Sequence, residues 1–72
     1  MSNNVLFVKF GKRVSKLRES QNMNITEFAA HSGISRGHLS ELEHGKREPG
    51  LLMVQDIADG LGVSMSELLK GL

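Results

Sequence analysis

The chain has 72 residues, no cysteine, one proline and a formal net charge of +1. That length supports a single domain burying only about 60% of its unfolded surface, and the missing cysteines exclude disulfides and thiolate metal sites as supports for so small a core. No apolar run exceeds four residues, Val5-Leu6-Phe7-Val8 being one of that length, too short for a signal core or a membrane span, so a cytoplasmic protein with no membrane partner is expected.

The charge is unevenly spread. Residues 1–47 carry eight of the nine Lys and Arg against four acids, whereas residues 48–72 carry one lysine against four acids. A polyanion would meet the first part favourably, although ordinary solvated helix faces give the same pattern.

The apolar spacing is helical throughout, and no segment alternates like a strand. A first helix is expected over residues 4–21, with Phe7, Phe10, Val14 and Leu17 forming one stripe. Asn24 followed by Glu27 is a capping-box pattern that starts a second helix over residues 24–32, and Met23 can pack on Phe28 as a staple. Ser35 caps a third helix over residues 35–44, with Ile34 and Leu39 at the staple positions. Gly33 and Gly45 follow these segments as stops. Pro49 leads into a fourth helix over Leu51–Leu61, whose apolar face is Leu51, Val54, Ile57, Ala58 and Leu61. Gly62 ends it. Ser64 and Glu67 repeat the capping box, with Val63 on Leu68, and start a short fifth helix over residues 65–70. The expected fold is therefore all-α, five helices in one domain spanning residues 1–72.

The second and third helices are joined by only a few residues around Gly33, which forces a steep crossing. Ala29 is the small residue expected at the close approach. Leu39 and Leu42 lie on one side of the third helix and can pack on Phe28 and Ala29, with Ile34 in the corner. At roughly 3.6 residues per turn, Gly37, Ser40, Glu41 and His44 then fall on the opposite side, with Arg36 on the flank.

The string from Met23 to Pro49, MNITEFAAHSGISRGHLSELEHGKREP, resembles the helix-turn-helix of the lambda-repressor and Cro family. The matching positions are Phe28, Ala29, Gly33, Ile34, Ser35, Leu39, Ser40, Leu42, Glu43, Gly45 and Pro49. Further matches run from Gly11, Arg13, Val14, Leu17 and Arg18 to Ile57, Ala58, Leu61, Gly62, Val63, Ser64 and Leu68-Leu69, so the resemblance covers nearly the whole chain. Two positions depart from it. Ile25 stands where the family often has a glutamine that touches the DNA backbone, and Ser32 replaces a usually apolar residue, which implies looser packing there.

The resemblance implies a five-helix lambda-repressor-like domain that binds double-stranded DNA with its third helix in the major groove. Arg36 is then the first candidate base reader, through guanine O6 and N7, with a phosphate contact as the alternative. Glu41 either accepts from cytosine N4 or repels phosphate on wrong sites. Gly37 either lets the helix seat deeply, leaving room for a thymine methyl, or is a plain surface glycine. Ser40 can donate to base or phosphate. Asn24, Ser35, His44, Lys46 and Arg47 are the candidate backbone contacts, with Arg13 and Lys9 of the first helix the weaker ones. Arg18 and Glu43 are implied as a structural ion pair between the first helix and the end of the third.

The last segment carries Val63, Met65, Leu68, Leu69 and Leu72, more apolar surface than a two-turn helix hides. These residues either form a homodimer interface, as the resemblance implies, or cap the core of the monomer. His31, His38 and His44 lack metal-site spacing, and no nucleophile–base set or phosphate-cradling loop is present. No metal, cofactor, small-molecule ligand or enzymatic activity is therefore expected. The functional expectation is a homodimeric, sequence-specific regulator on a near-palindromic operator, of the Cro-like repressor or restriction–modification controller type, encoded by a bacterium or phage. The alternative is a protein-interaction module, an antitoxin or adaptor that keeps the fold.

Overall fold

The computed structural model describes the backbone from Ser2 to Leu72 and the side chains from Val5 onward. Met1, included in the domain by the sequence, lies outside the described residues. Five helices follow in order: α1 (Ser2–Ser20), α2 (Ile25–Ser32), α3 (Arg36–Glu43), α4 (Leu51–Leu61) and α5 (Met65–Leu68). Among the described residues there is no strand, and no helix is long and apolar enough to cross a membrane.

The helix boundaries follow local chemistry. Asn24 and Glu27 form the full capping box: the Glu27 N–H donates to Asn24 Oδ1 at 2.8 Å and the Asn24 N–H to Glu27 Oε1 at 2.9 Å. Ser35 Oγ accepts from the His38 N–H at 3.2 Å and so starts α3. Gly33 and Gly62 end α2 and α4 in the left-handed region. At the end of α1 that role falls to Asn22, at φ +58°, where the Met23 N–H donates back to the Arg18 carbonyl at 3.3 Å.

α5 is a partial exception. Ser64 accepts from the Glu67 N–H at 3.0 Å, but the Glu67 carboxylate does not complete a box. It receives Arg13 Nη2 at 3.2 Å instead. The same guanidinium donates to the carbonyls of Glu67 (2.8 Å, from Nη2) and Leu68 (3.2 Å, from Nε). Arg13 therefore clamps the C-terminal end of α5, where carbonyls lack helical partners and a cation is favoured. The helix is shorter than expected, ending at Leu68 rather than residue 70.

Val14, Phe28, Leu39, Leu42, Ile57 and Leu68 are fully buried at the centre, with Phe10, Ile34, Val54, Ala58 and Leu61 around them. Two expectations fail here. Leu68 belongs to this core, 0% exposed, and cannot serve an interface. Leu51, placed on the core face of α4 by its spacing, is 77% exposed. It is the first residue of the helix, one turn before Val54 reaches the core.

Helix approach is set by two glycines. A Cβ on Gly60 would lie 2.8 Å from Ser32 Cβ, so α2 and α4 approach tightly at Ser32. Ser32 is accordingly well packed. Its hydroxyl donates to the Ala29 carbonyl at 3.4 Å and accepts from the Ile34 N–H at 3.3 Å. A Cβ on Gly11 would strike the Leu42 carbonyl oxygen and lie 2.5 Å from that of Glu43, so only glycine lets α1 lie on the last turn of α3.

Just beyond that approach, Arg18 Nε and Nη2 donate to the two carboxylate oxygens of Glu43 at 2.8 and 3.0 Å, and Nη1 donates to the Met23 carbonyl at 2.9 Å. The side chains are 14% and 7% exposed. The hydrogen bond to Glu43 raises the Arg18 pKa, against an opposing effect of burial. This bidentate pair fixes the end of α3 to α1. Glu43→Ala removes the bidentate partner of Arg18, leaving only the exposed Glu19 carboxylate at 3.9 Å, and should cost about 3 kcal/mol, read as a lower urea midpoint with an unchanged slope. The paired replacement Arg18→Met/Glu43→Leu should recover most of that loss.

Candidate nucleic-acid interface

Burial of Leu39 and Leu42 fixes the rotation of α3 about its axis. The residues on the other side are consequently bare: Arg36, Gly37, Glu41 and His44 are exposed and Ser40 is half-buried. Nothing lies within 4 Å of where a Gly37 Cβ would stand. Asn24 and Ser35, the caps of α2 and α3, are exposed, as are Lys46 and Arg47 in the following turn. The α2–α3 crossing brings the start of one helix beside the start of the other. Arg36 Nη1 donates to Thr26 Oγ1 at 3.3 Å, a partner that the sequence did not suggest because Thr26 belongs to no motif.

The turn after α3 is folded back on the helix. The Lys46 N–H donates to the Glu41 carbonyl at 2.9 Å, and His44 Nδ1 lies 2.7 Å from the Ser40 carbonyl, a bond that requires the proton on Nδ1. Gly45 lies against Val8 of α1. Arg47 reaches back to Glu41: Nε is 2.9 Å and Nη2 2.8 Å from Oε1, with both side chains about half exposed (47% and 50%). This hydrogen bond holds the Glu41 carboxyl below the ordinary carboxylate range, with smaller contributions from His38 and Lys46. Because the folded-state value is the depressed one, the pair contributes stability above the ordinary glutamate value and loses it as pH falls through the depressed value. Solvent screening keeps that contribution small.

The proposed contact residues therefore divide. Arg36, Gly37, Ser40, Glu41, His44, Asn24, Ser35, Lys46 and Arg47 lie on α3, at the start of α2 and in the adjoining turn. Arg13 does not join them. Its guanidinium is spent on the carbonyls and carboxylate at the end of α5, which corrects its placement at a nucleic-acid backbone. The family resemblance that offered Arg13 as a backbone contact could not foresee a partner 54 residues away. Among the described residues no group of three His, Asp or Glu converges as a metal site would.

Comparison with known proteins agrees with this geometry. A family model described as helix-turn-helix matches residues 14–68. The control protein C.MunI from Mycoplasma sp is 35% identical over 68 residues, covering 93% of this chain and 92% of its own. The crystal structure of the restriction–modification controller protein C.AhdI from Aeromonas hydrophila superposes with a TM-score of 0.86 at 30% identity, over 89% of this chain and 97% of that one. That of the clp gene regulator ClgR from C. glutamicum gives 0.83, also at 30% identity, over 89% and 83%. These relatives are regulators and control proteins rather than enzymes. With a family model over most of its length, and this likeness along nearly all of it, the chain belongs to the helix-turn-helix family of transcriptional regulators and controller proteins.

Proposed function

We propose that the protein is a sequence-specific regulator of transcription, of the restriction–modification controller type, that binds a near-palindromic operator as a homodimer. The observation that carries this reading is the bare polar face of α3, from Arg36 to His44, on a helix whose other side is locked into the core. A major groove accepts a helix presented this way. The similarity to C.MunI and C.AhdI supports the controller type.

The dimer face supported by the structure differs from the one expected from the sequence. Leu68 is internal, and Val63 and Met65 are partly buried against the core. Leu69 and Leu72 remain 41% and 40% exposed. They border an apolar groove whose other walls include Leu6, Phe7, Phe10 and Pro49. A second copy covering this surface would hide apolar area that a monomer leaves in water. Two copies related by a two-fold axis would present their α3 helices about 34 Å apart, one turn of duplex. Selection of bound sites from random duplex, followed by sequencing, should return paired inverted half-sites at that spacing. Unrelated sequences, or failure to retard any duplex at low salt, would overturn the reading.

Two residues should separate base reading from backbone binding. Arg36→Ala should lose about 1–3 kcal/mol of discrimination at one base position per half-site, whereas Lys46→Ala should weaken all duplexes alike and flatten the salt dependence by about one unit. Equal losses for Arg36→Ala on selected and random DNA would remove its assignment.

Gly37 offers a sharper contrast. Its Cβ would meet nothing in the free protein, and alanine is preferred over glycine in a helix by about 1 kcal/mol. Gly37→Ala should therefore raise the thermal midpoint. If the helix seats closely in the groove at this point, the same variant should bind the selected site less tightly, measured by fluorescence anisotropy.

A further inference from the structure

The exposed face of α3 carries a carboxylate where a polyanion is to bind, and that carboxylate is already engaged. Glu41 lies one helical turn after Gly37, on the same face. Its Oε1 accepts from Nε of Arg47 and lies 2.8 Å from Nη2. The backbone beneath is fixed by the Lys46 N–H bond to the Glu41 carbonyl, so the two side chains are the moving parts. Lys46, between them in sequence, makes no ion pair among the described residues. The turn thus presents one cation directly and one covered by an acid.

Building on the DNA-binding reading above, we propose that Glu41 and Arg47 form a specificity gate: the closed pair withholds Arg47 from phosphate on arbitrary duplex, and a base offering Glu41 a hydrogen-bond donor releases it. The chemistry follows from the groove edges. Cytosine N4 and adenine N6 present donors in the major groove, whereas guanine O6 and N7 and thymine O4 present only acceptors. Opposite an amino edge, Glu41 exchanges a guanidinium for a base, and Arg47 exchanges a carboxylate for a phosphate. The carboxylate keeps a hydrogen-bond donor and the guanidinium keeps an anionic partner. Opposite an acceptor edge, opening the pair leaves the carboxylate facing lone pairs and phosphates without a donor. Arg47 then remains on Glu41, and one phosphate contact is lost. Because both side chains are about half exposed, the pair is weak enough for a well-placed base to open, at a cost of no more than about fivefold in affinity. At neutral pH Glu41 is ionised as any exposed carboxylate is, so the pair is between opposite charges, and its hydrogen bond to Arg47 lowers the Glu41 pKa.

The gate is tested by a double-variant cycle on random duplex and on the selected site, read by anisotropy across a salt series. Glu41→Gln should tighten binding to random duplex by about three- to tenfold and steepen its salt dependence by about one phosphate equivalent. The preference for the selected site should fall accordingly. Arg47→Ala should change random-duplex binding by less than about twofold in the wild-type background, but on the order of fivefold in the Glu41→Gln background and on the selected site. Equal losses in both backgrounds would show Arg47 already on phosphate and overturn the gate, as would an unchanged salt slope in Glu41→Gln. A second measurement needs no DNA. The Glu41 carboxyl carbon, followed by NMR against pH, should titrate at higher pH in Arg47→Ala than in the wild type. An unmoved titration means that the pair does not form in solution, and the gate fails. Wild-type protein that retards no duplex at low salt removes the DNA-binding reading and the gate with it, whatever the titration shows.

Discussion

The seating of α3 on the core is the constraint from which the remaining geometry follows. Leu39 and Leu42 are 0% and 1% exposed, and a helix that buries two positions three residues apart has only one face left for solvent. Gly11 then permits α1 to lie against the Leu42 and Glu43 carbonyls, and the Arg18–Glu43 pair fixes the end of the helix at that approach. Rotation, tilt and terminus are each set by a different kind of force: apolar burial, backbone contact and a charge-assisted hydrogen bond. The polar face owes its direction to these internal contacts.

The charges of the chain acquire meaning only after pairing is taken into account. The sequence shows a basic first part and an acidic remainder, which suggests a broad positive surface. The structure spends three of those cations internally. Arg13 holds the end of α5, Arg18 holds Glu43, and Arg47 rests on Glu41. What remains around α3 is narrower, with Arg36 at its start and Lys46 beyond its end. A surface of that kind suits a protein whose attraction to any polyanion is modest and whose preference among sequences is set by a few side chains.

Local signals were the legible part of the sequence. The Asn24–Glu27 box, the Ser35 cap and the glycine stops act over four or five residues, and all stand where expected. The inward placement of Leu39 and Leu42 was also readable, because helical period alone decides it. What the sequence could not display is partnership at a distance. Ser32 looked like a defect until Gly60, 28 positions later, supplied the space that a larger residue would have filled. Glu67 stood at the closing position of a capping box, but a guanidinium from α1 reached it in place of the local N–H. Glu41 and Arg47 are only six residues apart, yet they pair across a turn whose path depends on the Lys46 bond to the Glu41 carbonyl. Leu51 has the right spacing for the core and fails because its helix begins there, too early to face inward.

The fifth helix joins the core of the domain to an apolar groove on its surface. Leu68 is wholly interior and Arg13 binds the carbonyls around it, so α5 closes the core as a lid. The residue after Leu68 already points outward, and Leu69 and Leu72 add to the apolar groove beside Phe7 and Pro49. A chain of this size has little stability to spare. Whatever covers that groove stabilises the lid, and whatever loosens the lid removes the groove. Folding and any docking on that groove would therefore draw on the same few leucines. If the groove is where a second copy docks, occupancy of DNA would depend on protein concentration twice, through dimer formation and through the closure of α5 that dimer formation reinforces.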